Sequence, residues 1–395
     1  MTALSVSVVK SVLTVPPHRN TVNPYAIIVM QGGTAMPNSA PIIDADAHVI
    51  ETERTWDYLA SSEQKFRPKL YSAPADPTRQ YWVIDDKIAG FRFLTLTERE
   101  LHEFAQRAGR NFETPQAARQ LDDVELRLKH MDQLGIDVQV LHNTFWIERI
   151  TSRPEAEVAL CRSWNRWLAD ISKKSHGRLF YSCVVPAMNI HAAMDEVKFA
   201  KENGAAAVCM RPLEGERHLS DPYFYPLYEV ASDLDLAIAV HIANGNPENA
   251  DLYRLAPAGR FAQFRVPTVT ACFDVIMSEL HDVFPKLRWG FIEASAQWVP
   301  WIYREAAIRY RAAGRTFPKN VFDEYNIFVT CQTNDDVPYI VHCCGEDRLV
   351  IGTDYGHTDP SSAVTALKEF QRMEGIDAGV KEKILSHNAK ALYGL

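Results

Sequence analysis

The chain has 395 residues, with 42 basic against 50 acidic side chains and so a formal net charge of −8. At 47% apolar and 23% charged residues its composition is that of a globular protein, which excludes a disordered chain. The acidic balance speaks against nucleic acid or an anionic membrane as partner, and no uncharged apolar run approaches the ~18 residues that span a bilayer.

Segment 1–40 is rich in Pro, Asn, Gly and Ser and has no sustained period. It reads as an N-terminal extension, either poorly ordered or packed on a partner. It lacks the compact apolar core and small-residue cleavage site of a secretion signal, and Met30 and Met36 are alternative starts of translation. The seven cysteines are odd in number and lack CxxC spacing, which argues against a disulfide framework or a structural zinc and favours a reducing cytoplasm.

From residue 41 onward, short apolar runs recur at 42–46, 136–141, 179–185, 205–210, 236–241, 287–293, 327–331 and 349–353. Each is too short for a helix and most lack alternation, as strands of a sheet covered on both faces require. Helical patterns lie between them. Segment 122–134 opens with acids and closes at Gly135, and 154–172 places Val158, Cys161, Trp164, Leu168 and Ile171 on one face. Eight strand–helix units over 41–395 predict a single α/β domain, a (β/α)8 TIM barrel; a doubly wound sheet is weakened because no GxGxxG follows any strand. Residues 52–121 and 243–266 break the repeat and are expected to be long βα insertions at the mouth, the first irregular apart from a helix near 97–108.

Polar residues end these strands. The first ends in Asp46 and His48 with Glu51 beyond, the second in His142, the fourth in Arg211, the fifth in His241 and the sixth in Glu293; Asp354 follows the eighth and His357 lies three residues further on. Asp46 and His48, two apart, share one face of their strand. Burying so many ionisable groups together is costly unless a metal or a reaction needs them, so Asp46, His48, His241 and Asp354 are assigned to metal ligation. His130, His176, His191, His281 and His342 are assigned to solvated positions, and Trp298 and Trp301 to packing.

The segments DADAHVIE at 44–51, HLSDPYFYPLYEVASDLDLAIAVH at 218–241, FIEASAQWVPW at 291–301, IGTDYGH at 351–357 and HNAKALYGL at 387–395 resemble the amidohydrolase-related family, metal-dependent barrels that include non-oxidative aromatic-acid decarboxylases and related hydrolases. The resemblance implies one divalent ion on Asp46, His48, His241 and Asp354, and a dimer or tetramer. The decarboxylases carry a His after strand six, where this chain has Glu293. A further subset joins the Asp-x-His-x-x-Glu opening to a strand-six Glu, and some of its members resemble dinuclear iron or manganese centres. With Glu51, Glu293 and His142 available, a second ion is open, and the mixed oxygen and imidazole donors suit Zn, Mn or Fe.

The expected function is decarboxylation or hydrolysis of a small carboxylate-bearing substrate, with Asp354, Glu293 and His241 as catalytic groups. Arg211 would bind a substrate carboxylate or pair with a barrel acid. Trp56 would supply an aromatic wall, and His357 would contact substrate, ligate metal or serve structure. Two alternatives remain: dioxygen activation at a dinuclear Fe or Mn centre, and a non-catalytic subunit in a hetero-oligomer with a homologous chain.

Overall fold

The computed structural model describes residues 40–92, 97–359 and 361–395; apart from residue 40, the expected extension lies outside them. Eight strands form one parallel sheet in sequence order: β1 (Ile43–His48), β2 (Val138–His142), β3 (Leu179–Val184), β4 (Ala205–Met210), β5 (Ala237–His241), β6 (Trp289–Ile292), β7 (Ile327–Cys331) and β8 (Leu349–Ile351). The circle closes where Ala47 bridges Tyr355 just past β8, with the Asp354 amide donating to the Asp46 carbonyl at 2.8 Å and the His48 amide to the Tyr355 carbonyl at 3.0 Å. The expected barrel is the observed one.

The strands are apolar on both faces because each separates two cores. Small residues, among them Ala45, Ala206, Ala207, Ala237 and Ala239, fill the narrow interior with Ile43, Val140, Ile292, Phe328 and Val350. Larger side chains pack the outer face against the helices, including Leu160, Trp164 and Leu168 of the helix Pro154–Lys174. The helix Val124–Leu134 starts on Asp123, whose carboxylate accepts the Leu126 amide, and stops at Gly135, where a φ of 71° is free of the Cβ penalty.

At the floor, the helix Asn388–Tyr393 adds Ala389, Leu392 and Tyr393 to the interior core. The Tyr393 hydroxyl donates to the Ala45 carbonyl at 2.7 Å, and Asn388 donates to the Leu349 carbonyl at 2.7 Å, fixing the start of β8.

The first insertion is more regular than expected. Strands Lys69–Ala73, Asp76–Ile84 and Lys87–Phe91 form an antiparallel sheet, followed by the expected helix at Glu98–Ala108. A strand such as KLYSA, largely exposed, has no continuous apolar run to announce it. The second insertion carries the helix Pro247–Tyr253 and a π-helical turn at Phe261–Arg265. No helix among the described residues is long and apolar enough to cross a membrane.

Candidate metal centre

The C-terminal ends of β1, β5, β6 and β8 bring Asp46, His48, His241, Glu293 and Asp354 together, all buried. Glu293 and Asp354 leave their strands with φ of 69° and 51°, a costly left-handed turn for residues with a Cβ that here aims both carboxylates inward. The backbone approaches closely at the seam: a Cβ on Gly352 would stand 2.3 Å from the Asp46 Cβ.

His48 Nδ1 donates to the Asn143 carbonyl at 3.0 Å, which leaves Nε2 unprotonated and pointing into the cluster. Nε2 lies 3.5 Å from Asp46 Oδ1, 3.4 Å from Glu293 Oε2 and 3.4 Å from Asp354 Oδ1. His241 repeats the arrangement, with Nδ1 facing the Ile242 carbonyl and Nε2 standing 3.4 Å from both Asp46 Oδ1 and Glu293 Oε2. His48 Nε2 and Glu293 Oε2 are buried and make no hydrogen bond. Donors each about 2.1 Å from one ion stand about 3.0–3.5 Å from one another, so an ion would fit among these spacings.

Two overlapping groups could hold an ion, Asp46–His48–His241–Glu293 and His48–Glu293–Asp354–His357, each with donor atoms within 4.8 Å of one another. Burial and like charge act on these groups together. Burial raises Asp354 to about 8, against the pull of His357, and burial with the negative charges of Asp354, Asp359 and Asp46 drives Glu293 well above the usual carboxylate range. Burial and the neighbouring imidazoles push His48 well down, favouring the neutral, ligating form. Asp46 is also buried, yet the neighbouring His241 and His48 imidazoles hold it low.

His357 stacks on His48 with ring centroids 3.8 Å apart. Its Nδ1 lies 2.7 Å from Asp354 Oδ1, and its Nε2 lies 2.8 Å from Thr144 Oγ1. The Thr144 hydroxyl donates to the Val49 carbonyl at 2.7 Å, so toward His357 it acts as acceptor. His357 therefore presents N–H on both sides when cationic, and Asp354 raises its pKa although burial opposes the charge.

The cluster opens into a cavity of about 570 Å³ lined by His48, His241, Glu293, His357 and Asp359, with Phe145, Trp146, Val184 and Phe264 as apolar wall. Tyr81, Ile88, Ala89 and Gly90 of the antiparallel sheet close one side. Sequence inspection missed this sheet, and also Thr144 and Ser362, whose hydroxyl donates to Asp354 Oδ2 at 2.6 Å. Only the place of Ser362 in the loop that follows Asp354 hinted at its contact.

Other expected site residues go elsewhere. Arg211 lines the cavity, but Nε donates to Glu214 at 2.9 Å, Nη1 donates to the Glu148 carbonyl at 3.3 Å, and Glu157 lies 3.7 Å away. Its fork is engaged by protein acids, so the structural alternative describes it. Trp56 does not reach the cavity: it is fully buried against Trp82, Phe145 and Trp146 and backs the wall. His142 has Nδ1 at 2.8 Å from the Ser182 hydroxyl and Nε2 at 3.3 Å from the Ala45 carbonyl. Two solvated assignments fail as well, since His130 bonds the Tyr355 hydroxyl at 2.8 Å and His281 stacks on Tyr325. Trp301, assigned to packing, is exposed.

Glu51 accepts from the Thr144 amide at 3.1 Å and the Trp164 indole at 3.0 Å and stays outside both ligand groups. Burial lifts its pKa from 4.5 to about 7. Between these values the unfolded chain has released this proton and the folded one has not, so its contribution to stability falls as pH rises and levels off above about 7. The change is about 3 kcal/mol. Glu51→Gln keeps the acceptor oxygen, and denaturant unfolding of the two proteins at pH 5 and pH 8 should show the variant gaining on wild type by that amount.

A parallel barrel with acid and imidazole ligands at its strand ends is the architecture of metal-dependent amidohydrolases. The amidohydrolase family model matches residues 43–395, and the chain belongs to that family of enzymes. Among curated proteins it is 19% identical over 292 residues to the 2-amino-3-carboxymuconate-6-semialdehyde decarboxylase of Dictyostelium discoideum, covering 69% of this chain and 77% of that one. Among solved structures, an amidohydrolase from Mycobacterium avium subsp. paratuberculosis is 18% identical with a TM-score of 0.74, covering 91% of this chain and 99% of that one. The 5-carboxyvanillate decarboxylase of Novosphingobium aromaticivorans, solved with manganese and 4-hydroxy-3-methoxy-5-nitrobenzoic acid, is 21% identical with a TM-score of 0.57, covering 76% and 93%.

Proposed function

We propose that this protein is a carboxy-lyase that uses one divalent ion, Mn or Zn before Fe, to decarboxylate a small, largely apolar or aromatic acid. The observation that carries the reading is the convergence of His48 Nε2 with three carboxylate oxygens at 3.4–3.5 Å beside an apolar cavity. Asp46, His48 and His241 would hold the ion, with Glu293 and Asp354 completing the set. When bound, the ion supplies positive charge that fixes the substrate carboxylate and stabilises negative charge as the carbon–carbon bond breaks.

The apolar wall of Phe145, Trp146 and Phe264 excludes water from the substrate body. His357, whose cationic form Asp354 favours, would hold the proton that the substrate carbon takes as CO2 departs, so one proton replaces one CO2. A single ion is favoured because both ligand groups share His48 and Glu293, while Glu51 and His142 are turned to other partners. That arrangement speaks against the dinuclear oxygenase. The complete ligand set speaks against a non-catalytic subunit. The similarity to two decarboxylases favours carboxy-lyase over hydrolase.

All seven thiols are free, which supports a cytoplasmic location, and exposed Trp301, Ile308 and Tyr339 on neighbouring outer helices support self-association. Elemental analysis of protein purified without added metal should find close to one Mn or Zn per chain. CO2 release should then be measured across a panel of hydroxybenzoic acids, with and without chelator. Two ions per chain, or chelator-insensitive turnover, would overturn the proposal.

A further inference from the structure

Asp44 is fully buried and lies outside both ligand groups, yet its carboxylate binds the backbone beside two of the proposed ligands. Oδ1 accepts from the Asp46 amide at 3.3 Å and the Thr353 amide at 2.9 Å; Oδ2 accepts from the Thr353 hydroxyl at 2.6 Å and the Gln139 side-chain amide at 2.8 Å. Thr353 directly precedes Asp354. One carboxylate thus clamps the segments that carry Asp46 on β1 and Asp354 after β8. This is the seam where, among the described residues, ladder pairing is reduced to the isolated bridge between Ala47 and Tyr355.

Its chemistry is set from behind. Arg127, fully buried, donates from Nε to Gln139 Oε1 at 2.7 Å, which turns the Gln139 amide nitrogen toward Asp44. The same guanidinium lies 3.5 Å over the Tyr355 ring and reaches the His48 carbonyl at 3.3 Å. Every group facing Asp44 is therefore a donor, and only a group that accepts at both oxygens satisfies them.

Resting on the metal reading above, we propose that Asp44 is a positioning residue: an acceptor-only clamp that sets Asp46 and Asp354 at coordination spacing across the barrel seam, oriented by Gln139 and Arg127. It touches no reacting atom. Asp44→Asn keeps the shape but points an N–H₂ at donors, which frees one segment or the other. Thr353→Val removes the hydroxyl half of the clamp at similar volume, and Thr353→Ser retains it.

The test is titration of metal-stripped full-length protein with Mn2+, following free ion by electron paramagnetic resonance, beside thermal unfolding of the same metal-free samples. Asp44→Asn and Thr353→Val should weaken Mn2+ binding about 10- to 100-fold, as loss of groups that orient ligands does, while Thr353→Ser stays within about threefold of wild type. If both weakened variants instead bind within about threefold of wild type, whatever their melting temperatures, the clamp is purely structural and the proposal is overturned. If Asp44→Asn does not fold, the Thr353→Val and Thr353→Ser pair decides alone on the same criterion. Wild type that binds no Mn2+ overturns the metal reading itself, an outcome distinct from equal binding by all variants.

Discussion

His48→Ala should abolish stoichiometric divalent-ion binding and lower turnover at least about 10³-fold, because a Lewis acid is worth several kcal/mol of barrier and each 1.4 kcal/mol is tenfold. His48 is the choice because it belongs to both ligand groups and its Nε2 is the point that three carboxylates share. Without it, Asp46, Glu293 and Asp354 face one another across a buried gap with His241 alone between them. Asp46 then loses one of the two imidazoles that hold it low, while Glu293 and Asp354 stay raised, and the three compete for protons instead of metal. Elemental analysis and CO2 release on one preparation check both halves of this statement. A variant that keeps its ion and its activity would remove the centre from consideration.

The second large effect is expected at His357, and it should be of a different kind. His357→Gln should keep the ion, since Asp46, His48, His241 and Glu293 remain, and should leave KM nearly unchanged. Its kcat should fall about 10²–10⁴-fold, the usual worth of a positioned proton donor. Glutamine can still bond Thr144 and Asp354 but carries no transferable proton, so shape is preserved and chemistry is not. Loss of metal with loss of activity would instead make His357 a ligand. A rise in KM alone would leave it as a substrate contact.

These two histidines also show how far the sequence could be read. Continuous apolar runs announce strands buried on both faces, and all eight barrel strands followed from that rule, as did the helix that stops at Gly135. Residues that end strands, such as His241 and Glu293, were visible because in a parallel barrel every strand end faces one mouth. Where the reasoning failed, the missing information was the partner. Arg211 ends a strand like the others, but only the fold reveals Glu214 and Glu157 against its fork. Trp56 is aromatic and lies beyond β1, yet its ring turns into the wall and not through it. Glu51 follows His48 by three residues, where strand periodicity has already ended, and Trp164 takes its carboxylate. Asp44 was hidden for another reason: Ile43 and Ala45 face the barrel interior, and a shift of register between Asp44 and Ala47 turns Asp46 inward, so the two-residue spacing does not put both carboxylates on one face.

The bond between the Tyr393 hydroxyl and the Ala45 carbonyl joins positions 348 residues apart. In folding terms that contact sits at the expensive end of chain entropy, since closing so long a loop costs about 5 kcal/mol before any contact rewards it. Asp46 and His48 lie on one side of this loop and Asp354 on the other, so the donors converge only when the ring of strands shuts. Until then the acids stay hydrated and apart, spared one another's charge. The five donors therefore come together in the step that closes the barrel, and the shortest part of the chain that holds them all runs from Asp46 to Asp354.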